Sequence, residues 1–93
     1  MQGSCSCKSV QYEVSELATP IIHCSCESCR KAHSAAFNTG AGVEPEHFTW
    51  LKGEDNLSSY ESSPGKHRYF CKTCGSQVIS KKEGAPLHIL RVA

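Results

Sequence analysis

Hydrophobic and polar residues alternate over short spans in this chain and rarely repeat every three or four positions. Val10, Tyr12 and Val14 are separated by Gln11 and Glu13, which predicts a half-buried strand. Ile21 and Ile22 form a brief apolar run that leads into a cysteine-rich segment. Phe48 and Trp50 mark another strand, ended by Lys52-Gly53-Glu54-Asp55-Asn56. Residues 57–61 follow as a strand, and Ser63-Pro64-Gly65 reads as a turn. Tyr69 and Phe70 enter Cys71-Lys72-Thr73-Cys74-Gly75, whose glycine suits a tight backbone. Residues 77–81 and 87–92 read as two strands around Glu83-Gly84-Ala85-Pro86. A single helix is expected, at about Glu27–His33, with Ser25 or Cys26 near its start. The pattern predicts a mainly β fold of short antiparallel strands with one short helix. Phe48, Trp50 and Tyr69 are expected in its core.

Length and composition sharpen this picture. Ninety-three residues predict one domain over positions 1–93. The apolar fraction is 39%, but seven of those residues are cysteines. A chain this short buries only about 60% of the surface its unfolded form exposes, so its core alone is marginal. It needs a staple, and the cysteines are the obvious source. No apolar run approaches the roughly 18 residues of a membrane span. Met1-Gln2-Gly3-Ser4-Cys5 shows neither a basic region nor an apolar stretch, so the expected location is cytoplasmic. The formal charge is +1. Arg30-Lys31, Lys66-His67-Arg68 and Lys81-Lys82 are short and scattered, which argues against a nucleic-acid partner.

The cysteines fall as Cys5-x-Cys7, Cys24-x-Cys26-x-x-Cys29 and Cys71-x-x-Cys74. Their number is odd, so a disulfide framework leaves one thiol over. Bridges within the close pairs would restrain little of the unfolded chain. Such spacings suit a metal, since each pair brings two sulfurs to one ion. Seven ligands divide as four plus three. A closed Cys₄ set is structural, whereas three protein ligands leave a position open, the mark of a catalytic site. Cys24, Cys26 and Cys29 are contiguous and can hold one ion alone. Cys5, Cys7, Cys71 and Cys74 must then combine, joining distant parts of the chain. The rival division, in which Cys24, Cys26 and Cys29 recruit a fourth cysteine, would strand three sulfurs elsewhere. His33, four residues after Cys29, is an alternative fourth ligand on the same helix face. A buried or surface role suits it better, as it does His23, His47, His67 and His88.

Three blocks resemble a known family. They are Gly3-Ser4-Cys5-Ser6-Cys7 with Val10-x-Tyr12-Glu13-Val14, then Cys24-Ser25-Cys26-Glu27-Ser28-Cys29-Arg30-Lys31 with Ala35-Ala36-Phe37. The third is Ser62-Ser63-Pro64-Gly65-Lys66-x-Arg68-x-Phe70-Cys71-Lys72-Thr73-Cys74-Gly75-Ser76. In order and spacing they look like the glutathione-dependent formaldehyde-activating family, also called the CENP-V/GFA domain. The resemblance implies a zinc-pinned β-tent of small sheets with two zinc ions per chain. Cys5, Cys7, Cys71 and Cys74 would hold a structural zinc, and Cys24, Cys26 and Cys29 a catalytic one. It implies carbon–sulfur lyase chemistry, in which glutathione and formaldehyde form S-hydroxymethylglutathione reversibly. The implied partners are a glutathione-like thiol and an aldehyde, met by a monomer or homodimer. The chain departs from the family pattern at Ser25, where His or Asn is frequent, and at Ser34 and Lys8, where Gly is usual. Family members also usually continue through further strands beyond Leu90-Arg91-Val92-Ala93.

Three thiolates around a zinc ion give a unit of charge −1, a poorer Lewis acid than a three-histidine site. Soft sulfur ligands suit its open position better than hydroxide. Seven lost thiol protons against two dications would lower the net charge by three, to about −2. Glu27 is a candidate proton relay, and Arg30 or Lys31 could attract a substrate carboxylate. A non-catalytic zinc-stabilised module that binds a protein or small thiol is the main alternative. A deaminase is disfavoured, because no Pro precedes Cys71 and the H-x-E element is absent.

Overall fold

The computed structural model describes residues 1–92. Among these residues nine strands form two antiparallel sheets, joined by one α-helix and two short 3-10 turns. The first sheet contains β1 (Gln2–Ser4), β2 (Gln11–Val14) and β5 (Phe48–Lys52), in the order β1-β2-β5. The alternation in β2 buries Tyr12 and Val14 and leaves Glu13 exposed. Tyr12 stacks on Phe48 at 5.4 Å between ring centroids, and Phe48 meets the edge of Trp50 at 4.7 Å.

The second sheet has six strands: β3 (Ile22–Cys24), β4 (Asn38–Val43), β6 (Leu57–Ser63), β7 (Lys66–Cys71), β8 (Gln77–Lys82) and β9 (His88–Arg91). Their order is β3-β4-β9-β8-β7-β6. The last four strands in sequence form a meander, and β4 and β3 extend the sheet beyond β9. Val10, Tyr12 and Val14 from the first sheet region pack with Val43, Val78, Ile79 and Leu90 from the second. Phe48, Trp50 and Tyr69, expected in the core, are only half-buried and pack against its margin, because their strands lie at the outer sides of the two sheets' contact.

The expected strands are present, with longer limits for β6, β7 and β8. Two strands went unforeseen. β1 is short and polar, and forms because its backbone pairs with β2. β4 contains two glycines and lacks alternation because residues on both of its faces are buried. After β5, Gly53 has φ +79°, and a Cβ there would run into the Ser9 carbonyl oxygen. That close approach seats the end of the first sheet against the loop carrying Cys5 and Cys7.

Helix α1 is Glu27–His33, within the limits expected from the sequence. Cys26 is its N-cap, and its sulfur accepts from the Cys29 backbone N–H at 3.4 Å. Ser34 is the C-cap, with left-handed φ 49° and ψ 45°. Lys8 is the other non-glycine residue at positive φ among those described, at 65°. These are two positions where the family resemblance leads one to expect glycine. The physical reason is the backbone: both lie where an L side chain is crowded and glycine is not.

Candidate metal centres

Cys5 and Cys7 lie in the loop between β1 and β2. The loop folds on itself through Lys8 N–H to the Cys5 carbonyl at 3.1 Å and Cys5 N–H to the Val10 carbonyl at 3.0 Å. Cys71 ends β7, and Cys74 lies in the turn that follows. Gly75 N–H donates to the Cys71 carbonyl at 2.8 Å, closing that turn. The four sulfurs all fall within 4.8 Å of one another. Cys5 and Cys7 Sγ are 3.6 Å apart, and Cys7 and Cys71 Sγ are 3.8 Å apart. A tetrahedral ion at about 2.3 Å from each sulfur would hold them about 3.8 Å apart, so the set has the dimensions a metal requires.

Surrounding donors reinforce the set. Val10 N–H reaches Cys5 Sγ at 3.3 Å, and the Asn56 side-chain amide reaches Cys71 Sγ at 3.5 Å. Ser9 Oγ is 3.0 Å from Cys7 Sγ, and Ser76 Oγ is 3.2 Å from Cys74 Sγ. The Ser76 hydroxyl and N–H pull the Cys74 thiol down to about 5. The Ser9 contacts lower Cys7, whereas burial pushes Cys5 up. Exposed and easily ionised thiols thus alternate with buried ones.

The second set is built differently. Cys24 ends β3, Cys26 caps α1, and Cys29 lies on the buried face of that helix. Their sulfurs also fall within 4.8 Å of one another. No histidine joins them in that group. His33 Nε2 is buried without a hydrogen-bond partner, and His23 stacks on Phe37 at 4.2 Å. The four-plus-three division is therefore present in the folded chain.

Two arginines that sequence reasoning did not assign to the site complete the surroundings. Arg68 on β7 is only 2% exposed; its Nη atoms stand 3.7 and 3.9 Å from Cys29 Sγ, and its Nε donates to Ser62 Oγ at 3.0 Å. Arg91 on β9 is 7% exposed and donates to Asn38 Oδ1 at 3.1 Å and Ser80 Oγ at 3.0 Å. The ion pairs among the described residues are His47–Glu44 and His67–Glu61, so neither arginine meets a carboxylate. Buried cations demand a counter-charge. Burial and the neighbouring Arg68 push the Arg91 guanidinium below its ordinary value, and the sulfurs of Cys29, Cys24 and Cys26 oppose that shift. In the other direction, burial raises the Cys29 thiol, but Cys26, Cys24 and Arg68 together bring it down to about 7.

The remaining candidates lie at the margins. Glu27 and Lys31 line a recess of about 380 Å³ with Arg68, Tyr60 and Gln77. Arg30 is less free than expected, because its Nε donates to the Ser25 carbonyl at 3.0 Å. Glu44, Glu46 and His47 form a third, more exposed group of possible ligands.

Two antiparallel sheets, one short helix and two separate cysteine clusters able to hold metal ions define the class of protein. The sequence profile of the glutathione-dependent formaldehyde-activating enzyme family matches residues 1–93. The chain belongs to that family. A Schizosaccharomyces pombe protein named an uncharacterized lyase is 28% identical over 75 residues, covering 81% of this chain and 53% of the relative. A Podospora anserina protein named "putative glutathione-dependent formaldehyde-activating enzyme" is 29% identical over 82 residues, covering 85% of this chain and 38% of the relative. The chain thus spans about half the length, or less, of these curated relatives. A crystal structure of a Rhodobacter sphaeroides protein superposes with a TM-score of 0.82 at 26% identity, over 99% of this chain and 84% of the other. No helix among the described residues is long and apolar enough to cross a membrane.

Proposed function

We propose that this chain is a zinc-dependent carbon–sulfur lyase of the formaldehyde-activating type, joining a thiol to an aldehyde reversibly. Cys5, Cys7, Cys71 and Cys74 would hold a structural zinc, and Cys24, Cys26 and Cys29 a catalytic one. The observation that carries the reading is the contrast between the sets. One is a closed quartet between the sheets; the other is a trio with no fourth protein ligand among the described residues, flanked by two buried guanidinium groups. The family match and the lyase name of a relative point the same way.

Bound at the trio, zinc supplies an open coordination position suited to a soft sulfur ligand. The chain's own residues do the rest. Arg68 keeps positive charge beside the Cys29 sulfur and so favours a further anionic sulfur nearby. In the forward direction a sulfur–carbon bond forms and the carbonyl π bond breaks. The carbonyl oxygen gains the proton that the thiol loses, so no oxidant or reductant is needed. Glu27, adjacent to Cys26, is the carboxylate proposed to carry that proton. The relevant thiol in the family's name is glutathione, and the aldehyde formaldehyde.

The test is exchange NMR on glutathione and formaldehyde at equilibrium, with and without the zinc-loaded protein. Catalysis accelerates exchange above the spontaneous rate and depends on Cys26. A protein carrying both zinc ions but giving no acceleration would instead be a thiol- or protein-binding module.

A further inference from the structure

Cys24 and Cys29, two of the trio, line a half-open recess with Leu87 and Ile89 as an apolar wall. Gly40 and Gly42 on β4 keep it open. A Cβ at 42 would stand 2.9 Å from Thr19 Cγ2 and 3.0 Å from Leu87 Cδ1. Two cationic residues line the recess, Lys66 and Arg91, and no carboxylate does. The two cations differ. Arg91 is 7% exposed, and its Nη atoms are engaged by Asn38 and Ser80. Lys66 is half-buried and belongs to neither of the ion pairs found among the described residues. The residue opposite it on β8 is Lys82, so the cross-strand pair adds positive charge instead of cancelling it.

An uncompensated lysine beside a sulfur site calls for an anion on a thiol ligand. Lys66 and Arg68 share one face of β7, about 7 Å apart. Arg68 in turn reaches within 3.7 Å of the Cys29 sulfur. A thiol joining the trio would therefore meet Lys66 with a carboxylate several bonds from its own sulfur. In glutathione the glycine carboxylate stands about 6–7 Å from the cysteinyl sulfur when the chain is extended. The γ-glutamyl end carries an ammonium beside its carboxylate, and the recess has nothing acidic to meet it. The glycine end is a lone anion, which matches a recess charged by lysine alone. The two cations that the sequence offers as carboxylate anchors do not line this recess. Arg30 is held by the Ser25 carbonyl, and Lys31 faces the separate recess that contains Glu27 and Arg68.

We infer that Lys66 anchors the glycine carboxylate of the thiol substrate, and so decides which end of glutathione enters the recess beside Cys24 and Cys29. The inference rests on the reading that the trio receives glutathione, and adds the residue that orients it.

Three ligands test it: glutathione, its glycinamide (the glycine carboxylate replaced by a carboxamide) and the amide of its γ-glutamyl α-carboxylate. Each is titrated into the zinc-loaded full chain and followed by amide chemical shifts. Glutathione should bind about threefold to fivefold more tightly than the glycinamide, the size of a partly exposed charge pair, with shifts at Gly40, Gly42 and Ile89. This comparison uses the unaltered protein and depends on no variant folding. Lys66→Met should bring glutathione down to the affinity of the glycinamide and leave the glycinamide unchanged, whereas Lys66→Arg should restore most of the difference. The γ-glutamyl amide keeps its glycine carboxylate, so Lys66→Met should weaken it as much as glutathione. Retained zinc content and amide dispersion verify the fold of each variant. Equal binding of glutathione and the glycinamide, equal weakening of both by Lys66→Met, or no shifts on β4 and β9 at millimolar glutathione would each overturn the inference. The lyase reading would survive any of these if exchange with formaldehyde were still accelerated. Discrimination that depends on Lys66, without acceleration, has the opposite meaning: the anchor stands and the lyase reading falls.

Discussion

Replacing Cys7 and Cys74 together by Ser tests whether the quartet is the staple of the fold. Both side chains are exposed, so the exchange disturbs little packing. Cys5 and Cys71 remain buried and keep their bonds from Val10 and Asn56. What would disappear is the link that a metal held by the quartet would make between Cys7 and Cys71, 64 positions apart. Closing a loop of about 64 residues removes roughly 15 cal/mol/K from the unfolded chain, or about 4 kcal/mol at room temperature. A chain of this length has a total stability of about 5–14 kcal/mol, so the link is a large fraction of it. The expected fall in melting temperature is about 20 °C. Cys26→Ser is the comparison. It also leaves its set with two sulfurs, but the loop it opens spans only residues 24–29 and is worth about 2 kcal/mol by the same expression. Serine is a good N-cap, so α1 keeps its start. Circular dichroism melts, with zinc content measured on the same samples, decide the matter. If the double variant melted within about 5 °C of the unaltered protein, or Cys26→Ser fell as far, the quartet would not be the staple.

Four further outcomes follow from the geometry. Lys8→Gly and Ser34→Gly should each raise stability by about 1 kcal/mol, read from urea midpoints, because both side chains occupy left-handed backbone. Gly53→Ala should cost more than about 1 kcal/mol in the same assay, since φ is +79° and the new methyl meets the Ser9 carbonyl. Arg68→Met should lower cobalt(II) loading of the trio while sparing the quartet, whereas Arg68→Lys should restore part of it; equal loading in all three proteins would remove Arg68 from the site. Burial, with Arg91 and Arg68 facing it, holds His33 below its ordinary 6.5. The unfolded chain therefore takes up a proton before the folded one does, and the His33 contribution is complete above 6.5 and lost as pH falls below it. His33→Asn should narrow the melting-temperature difference between about pH 7.5 and pH 5.5.

The alternation of Val10, Tyr12 and Val14 and the limits of α1 were legible because one buried face imposes a period on the sequence. β4 was illegible for the complementary reason: Asn38-Thr39-Gly40-Ala41-Gly42-Val43 is buried almost throughout, and its glycines leave space instead of filling it. β1 had no signal of its own, since Gln2, Gly3 and Ser4 are strand only through pairing with β2. In the candidate site, cysteine spacing alone separated four ligands from three, because close pairs leave few ways to share ions. Arg68 and Arg91 were missed as site residues. Charge normally marks surface, and nothing local says that these guanidinium groups are buried. The alternation of Lys66, Arg68 and Phe70 along β7 was the available signal, once that strand is taken to start at Lys66.

The trio is confined to a six-residue stretch between the edge strand β3 and the first half of α1, whereas the quartet ties loops from both sheets. Inheritance can therefore act on the two independently. If the trio is the reactive site and the quartet the staple, as proposed, drift at Ser25, Cys26 or Glu27 alters reactivity on a short appendage at modest cost to the frame, while a change in the quartet puts far more of the architecture at risk. A lineage built this way can acquire new chemistry, or abandon chemistry altogether, and keep the same silhouette.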